Sequence, residues 1–168
     1  MNITRAISVR QPWASCIATN AGGAKRVENR GRSTSHRGPV AIHASLIPDV
    51  AATTDPRVAA LLGADPWEWL PVGVIIAVAD LVDCHQAAQP TERVDFDGDG
   101  DLVVEQPGTC CQPWGDRWYG DKPVWHLILD NVRILPVPVD ARGQLSVPWA
   151  LPDDVAAQVA AQLAGATA

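Results

Sequence analysis

The longest apolar stretch in the chain covers residues 73–82 and reads GVIIAVADLV. Its β-branched residues and its lack of apolar–polar alternation predict a central strand that is covered on both faces. Residues 6–9, 39–44 and 124–129 are shorter stretches of strand character, and the last of these resumes over residues 132–135. The pattern therefore predicts a mostly β core around residues 73–82.

Three segments carry helical signals. Residues 11–18 have a proline near their start, where its missing N–H is harmless, and glycines 22 and 23 are expected to end this helix. Residues 55–63 begin with an Asp-Pro pair and end in glycine, which predicts a short helix. A third helix from residue 153 places apolar residues at four-residue spacing on one face: Val155, Val159 and Leu163.

The segments between these elements set the expected architecture. Pro136 and Pro138 should confine the chain to a sheet edge or a connection, because proline cannot donate to a ladder. Residues 89–120 are rich in Gly, Pro and Asp, which predicts a long surface excursion without regular structure. The sequence shows no repeat and no interdomain linker, so residues 1–168 are expected to form one domain. Strands without an alternating βαβ order predict an α+β, mostly β fold, a small barrel with peripheral helices.

Composition excludes several classes of protein. No apolar run approaches the ~20 residues that span a bilayer, and the first residues lack a secretory pattern, so we expect a cytoplasmic protein without a membrane partner. The cysteines are Cys16, Cys84, Cys110 and Cys111, and no Cys-x-x-Cys spacing occurs. Buried or idle thiols are expected rather than a zinc site or disulfides, and neither a metal nor a cofactor is predicted.

The net charge of −6 is unevenly distributed along the chain. Residues 1–45 hold seven basic residues and one acidic residue, for a charge of +6, and the remainder carries −12. Phosphate binding depends on clusters of Lys and Arg, so a nucleic-acid-binding face would have to come from the N-terminal quarter.

Lys25, Glu28 and Arg30 form the most notable charged group in that quarter. In an extended segment Glu28 and Arg30 share a face, and a bend at the preceding glycines would bring Lys25 to the same side. A carboxylate between two cations can orient them, accept hydrogen bonds from a base edge, or take a proton in hydrolysis. The alternative is a solvated strand with salt bridges.

Residues 8–15 (SVRQPWAS), followed by Gly23-x-Lys25-x-x-Glu28-x-Arg30, resemble the signature of ASCH domains in the PUA-like superfamily. Residues 36–44, 73–84 and 125–135 resemble later strands of that family. The resemblance implies a PUA-like β-barrel that binds RNA or DNA in a cleft between its first helix and the barrel. No protein partner is implied.

Carried onto this sequence, the resemblance implies a site for RNA, single-stranded DNA, a nucleotide or a modified nucleoside. Lys25, Glu28 and Arg30 would bind the ligand at the centre of the cleft. The remaining binding residues would be Gln11, Trp13, His43 and Arg26.

Some proteins of this family are enzymes, which leaves a hydrolase open as the alternative. One group removes the acetyl group of N4-acetylcytidine, using a Lys, a Thr three residues later and a downstream Glu; another member resembles a ribonuclease. Here Lys25 matches the Lys, but Glu28 stands at the Thr position. If the chain is enzymatic, Lys25 and Glu28 are its catalytic candidates. A nucleophilic Lys25 would need a neutral amine, and the nearby Glu28 carboxylate favours the charged form. The motif therefore favours ionic recognition over catalysis.

Other chemical signals are weaker. Residues 95–101 (DFDGDGD) copy the start of a calcium loop, but position twelve is Gln106, which favours a solvated acidic loop. Trp114 and Trp118 suit packing and base stacking equally. A metal or triad role could be drawn for Asp83, His85 and His126, but single histidines near apolar strands are usually structural.

Overall fold

The computed structural model describes residues 3–88, 93–96, 102–105 and 110–165, with the backbone alone at positions 53, 93–96, 102–105 and 119. Short 3-10 helices span Val50–Thr54 and Pro66–Glu68. The helices are α1 (Trp13–Ile17), α2 (Pro56–Leu62) and α3 (Asp153–Gly165). The strands are β1 (Arg5–Val9), β2 (Val27–Arg30), β3 (Gly38–Ala44), β4 (Val74–Gln86), β5 (Arg93–Phe96), β6 (Leu102–Glu105), β7 (Trp118–Tyr119), β8 (Lys122–Pro123), β9 (Trp125–Asp140) and β10 (Trp149–Ala150).

Six strands form one sheet in the order β10-β1-β3-β4-β9-β2. β1 and β3 run parallel, and the other neighbours are antiparallel. The mostly β class is confirmed, but the predicted barrel is not closed, since no ladder joins β10 to β2 in the described part of the chain. Both edge strands are short, with two and four residues, so neither offers the other a long ladder.

Hydrophobic clusters lie on both faces of the sheet. One includes Val40, Ile42 and Ala44 with residues of α1, and the other includes Ala41 with residues of α3. Successive residues of a strand point to opposite faces, so β3 contributes to both clusters. β4 is likewise shared between the clusters and lies inside the sheet, which confirms the predicted central strand.

The ends of the helices agree with the sequence in part. α2 begins as predicted, with the Asp55 side chain accepting from the Arg57 N–H, and ends at Gly63, whose φ is 89°. α1 ends at Ile17, before the glycines expected to stop it. The Arg26 guanidinium donates to the carbonyl oxygens of Ile17 and Thr19, at 2.8 and 3.0 Å, and so replaces a glycine cap.

Strand β9 continues through Pro136 and Pro138 to Asp140, but β2 pairs only with residues 125–128, so among the described strands this half of β9 pairs with β4 alone and lies at a sheet edge, as predicted. Pairing with β4 jumps from Ala77↔Ile134 to Ile75↔Val139. Residues 135–138 therefore form a bulge, and there the prolines require no ladder hydrogen bond.

The segment predicted to lack regular structure contains a strand pair, β5 with β6. Residues 97–101, which hold most of the candidate calcium loop, lie outside the described residues. From residue 110 onward the chain returns to the main sheet and contacts β2, as described below. No helix in the described part of the chain is long and apolar enough to cross a membrane.

Candidate functional site

Lys25, Glu28 and Arg30 meet at the start of β2, as the sequence predicts. Gly23, at φ 83°, turns the chain before the strand, and the Lys25 N–H donates to the Cys16 carbonyl at 2.9 Å. Lys25 Nζ then lies 2.9 Å from Glu28 Oε2 and also donates to the Val27 carbonyl. The side chains of Lys25 and Glu28 are only 5% and 10% exposed. The alternative of a solvated salt-bridged strand is therefore wrong.

Arg30 contacts the other oxygen of the same carboxylate. Its Nε lies 3.1 Å from Glu28 Oε1, but the angle does not allow a hydrogen bond, so the contact is an ion pair alone. Its Nη2 donates to the Ser8 carbonyl of β1. The Arg30 side chain is 22% exposed, which makes it the member of the trio most open to a ligand.

β2 presents this trio at an edge of the sheet. Glu28 pairs with Leu127 of β9, and no other strand of the described part of the chain lies beyond β2. The loop that carries Trp114 and Asp116 contacts Asn29 at this edge, so a ligand would reach the trio through its most exposed member. The backbone of Glu28 and Arg30 belongs to the main sheet, and the Lys25 N–H is fixed by the Cys16 carbonyl.

A second group of side chains, the Trp–Arg cluster, consists of Trp13, Trp114 and Arg57. The two rings pack edge to face, with centroids 6.3 Å apart, and the Arg57 guanidinium lies 4.8 Å from the Trp114 centroid and 5.9 Å from the Trp13 centroid. Hydrogen bonds to Asp55 hold Arg57 in place, and the same contact keeps the pKa of the Asp55 carboxyl below its usual value. Trp13 also donates from Nε1 to Asp49 at 3.0 Å.

Trp114 connects this cluster to the charged motif. Its Nε1 donates to the Gly23 carbonyl at 3.0 Å, and its own carbonyl accepts from Asn29 Nδ2 at 2.9 Å. Trp114 is buried, so it is a packing residue, whereas Trp118 is 48% exposed. Arg57 and Asn29 were not among the predicted site residues, and for Trp114 the sequence left packing and base stacking open, because no local pattern shows contacts between distant segments.

The remaining predicted site residues have mostly structural contacts. Gln11 is fully buried, donates to the Pro71 carbonyl and accepts from the Ser15 N–H. Arg26 caps α1, and burial lowers the pKa of its guanidinium.

His43 packs against Trp149 on the α3 side of the sheet and contacts Ser8 Oγ and the Ala141 carbonyl. Burial lowers the pKa of its imidazole, although the hydrogen bond to Ala141 partly offsets this. Its contacts connect it to the trio only through Ser8, whose carbonyl accepts from Arg30.

Two of the four cysteines and two of the four histidines, which were expected to be isolated, are instead grouped. His85, Cys110, Cys111 and His126 place their potential ligand atoms within 4.8 Å of one another. The spacing of the sequence hides this group, because the histidines lie on two strands and the cysteines in a distant loop. Only the adjacency of the two cysteines was visible in the sequence.

Comparison with known proteins gave a match in structure alone. No protein-family model matches the chain, and no curated protein matches it. The fold is similar to that of a ZmASCH mutant from Zymomonas mobilis, with a TM-score of 0.50 and 17% sequence identity. The match covers 94% of this chain and 96% of that one. At this identity the similarity establishes the fold.

Proposed function

We propose that this chain, which has the fold of an ASCH-domain protein, binds RNA or single-stranded DNA at Lys25, Glu28 and Arg30. The observation that carries the proposal is the Glu28 carboxylate, held between two cations on the edge strand β2. Such an arrangement fixes the orientation of the more exposed cation, Arg30, before a ligand arrives.

The three side chains differ in burial, and this difference indicates different roles. Lys25 and Glu28 are too enclosed to meet a phosphate backbone directly, so their role is to position Arg30. A guanidinium carries five N–H donors, so Arg30 can donate to a phosphate or a base edge while it keeps its contacts with Glu28 and Ser8. Arg30 is therefore the ligand-contacting member of the trio.

The surrounding charges favour a nucleic acid over a neutral ligand. Arg10, Arg32 and Arg37 are exposed in the same quarter of the sequence, whereas the rest of the chain is strongly acidic. An acidic remainder repels phosphates and restricts a nucleic acid to the basic region. Binding should therefore weaken as the salt concentration rises.

Fluorescence anisotropy with labelled single-stranded RNA and DNA tests the site. Arg30→Gln is expected to weaken binding about tenfold or more, as the loss of a charged hydrogen-bond donor typically does. Arg142→Gln, which removes an exposed cation outside the basic quarter, is the matched control and should bind as the wild type does. Urea unfolding of both variants would separate lost contacts from lost stability.

Unchanged affinity in both Arg30→Gln and Lys25→Ala would reject this site even if the protein binds nucleic acid. Affinity that does not fall with added salt would count against phosphate recognition altogether. A preference for RNA over DNA of equal sequence would point to a contact with the 2′-hydroxyl.

A hydrolase is the second candidate, and the 2.9 Å contact between Lys25 Nζ and Glu28 Oε2 is the observation that favours it. An amine–carboxylate pair can transfer a proton in the hydrolysis of an acylated nucleoside or an RNA phosphodiester. Against a nucleophilic amine, Lys25 Nζ already donates to two acceptors.

Incubation with N4-acetylcytidine and with single-stranded RNA, followed by chromatography, distinguishes the two functions. Binding alone predicts no product from either compound. Product that disappears in Lys25→Ala but persists in Arg142→Gln would establish the hydrolase.

A further inference from the structure

Four potential metal ligands converge where β4, β9 and the loop before β7 meet. His85 of β4 lies directly opposite His126 of β9 in the antiparallel ladder. Cys110 Sγ lies 3.3 Å from His126 Nδ1 and 3.7 Å from His85 Nε2, and Cys111 Sγ lies 3.3 Å from His85 Nε2.

We propose that His85, His126, Cys110 and Cys111 bind a zinc ion as a structural site. Zinc bonds of about 2.3 Å to sulfur and about 2.0–2.1 Å to nitrogen place tetrahedral S and N ligands about 3.5 Å apart. The three sulfur–nitrogen distances in this cluster agree with that separation. Two thiolates and two imidazoles also favour zinc, because magnesium and calcium bind oxygen ligands instead.

The second nitrogen of each histidine already has an acceptor. Nδ1 of His85 lies 2.6 Å from the Asp83 carboxylate, and Nε2 of His126 lies 2.8 Å from the Asp116 carbonyl. These contacts leave His85 Nε2 and His126 Nδ1, the two atoms nearest the sulfurs, free to coordinate. A carboxylate or carbonyl behind each ligating histidine is the usual outer shell of a zinc site.

The loop is shaped to bring both adjacent cysteines to one point. Cys111 adopts a left-handed φ of 65°, which turns the chain between the two thiols. A Cβ on Gly115 would lie 2.5 Å from the Cys110 carbonyl oxygen and 2.8 Å from His126 Cε1. Glycine at position 115 therefore allows the loop to close over the histidines.

A catalytic triad of Cys111, His85 and Asp83 explains fewer of these contacts. It would use one thiol and one imidazole, leaving Cys110 and the fully buried His126 without a role. A zinc ion uses all four groups and needs no open coordination position, as expected of a structural site.

Such a site would also hold the Trp–Arg cluster in place. The loop that begins with the two cysteines carries Trp114 and Asp116, and Asn29 of β2 contacts both of them. Zinc at its base would tie this loop to β4 and β9. The site is independent of the proposed nucleic-acid binding and can be tested without it.

The first experiment measures metal in the full-length protein purified under reducing conditions. Inductively coupled plasma mass spectrometry is expected to find one zinc per chain. After removal of the zinc with a chelator, Co²⁺ should give the intense visible absorption of tetrahedral thiolate coordination. Cys110→Ser and Cys111→Ser should lose that spectrum, whereas Cys84→Ser, which removes a half-buried thiol outside the cluster, should retain it.

Asp83→Asn provides a test that does not depend on removing a ligand. Loss of the carboxylate behind His85 should weaken zinc binding about 10–100-fold, with the fold retained by circular dichroism. The proposal is overturned if the wild type binds neither zinc nor tetrahedral Co²⁺. Equal loss in Cys84→Ser, unchanged zinc affinity in Asp83→Asn, or a Cys110–Cys111 disulfide in the zinc-treated protein would also overturn it.

Discussion

Glu28 is the residue on which the charged motif depends, because its two carboxylate oxygens contact different cations. Oε2 meets Lys25 and Oε1 meets Arg30. Burial weakens screening by water, so Glu28 is an effective counter-charge for both cations. The same burial makes the trio costly to disrupt.

Glu28→Gln should therefore destabilise the protein by about 3 kcal/mol, the typical cost of removing one partner of a buried ion pair. Urea unfolding followed by tryptophan fluorescence measures this change. Glu68→Gln, which neutralises an exposed carboxylate, is the control and should shift the free energy of unfolding by no more than about 0.5 kcal/mol. Equal effects of the two variants would show that the trio carries no stabilising ion pair.

The sequence predicts the trio because its members lie within six residues of one another and follow a glycine turn. It does not predict the contacts of Trp114, because tertiary packing brings this residue to Trp13 and Asn29. It does not predict the role of Arg57 either, because the neighbouring Asp55 reads only as a helix cap. The proposed zinc ligands were not grouped by the sequence for the same reason, because pairing of β4 with β9 brings His85 to His126. Contacts between distant segments leave no periodic signal.

Helix α2 is the element that connects local capping to the candidate site. Asp55 accepts from the Arg57 N–H at 2.8 Å and from its guanidinium, so one side chain both caps the helix and aims Arg57 at the two tryptophans. The cap was visible in the sequence, whereas the direction of the Arg57 side chain was not.

Asp55→Ala should cost about 1 kcal/mol of stability, the usual effect of losing an N-cap, and should change the tryptophan fluorescence by releasing Arg57. The matched control is Asp65→Ala. Asp65 precedes the 3-10 helix Pro66–Glu68 but makes no side-chain capping bond, so its loss should be nearly neutral. Equal destabilisation by both substitutions would contradict the capping argument.

Strand β9 shows how far reasoning from a single element extends. Proline chemistry correctly indicates that Pro136 and Pro138 cannot join a regular ladder. It cannot reveal that β4 and β9 accommodate them in a bulge and resume pairing at Val139. Whether a proline ends a strand or lies in a β-bulge depends on how the partner strand pairs. The residues around the proline do not contain that information.

At the scale of the whole molecule, the sheet separates two buried clusters, one under α1 and one under α3. Trp13 of the Trp–Arg cluster packs against the first, whereas His43 packs with Trp149 of the second. The apolar pattern predicts a sheet covered on both faces. It does not indicate whether the sheet closes into a barrel, because closure depends on the lengths and positions of the edge strands.

The buried His43 gives the molecule a predictable response to acid. Its ring contacts are Ser8, Ala141 and Trp149, none of which supplies a counter-charge for an imidazolium. Burial lowers its pKa in the folded state, so below the unfolded value of about 6.5 the unfolded chain takes up a proton that the folded protein does not. Stability contributed by neutral His43 is therefore present above that pH and is lost as the pH falls.

Between pH 7.5 and 5.5 this residue should reduce the free energy of unfolding by about 1 kcal/mol, since one proton contributes at most about 1.4 kcal/mol per pH unit. Urea unfolding at both pH values measures the loss, and His43→Gln should remove it. Subtracting the variant from the wild type cancels the other titrating groups. His36→Gln, which removes a half-exposed imidazole, is the control, and a pH dependence unchanged by His43→Gln would show that this ring does not limit stability in acid.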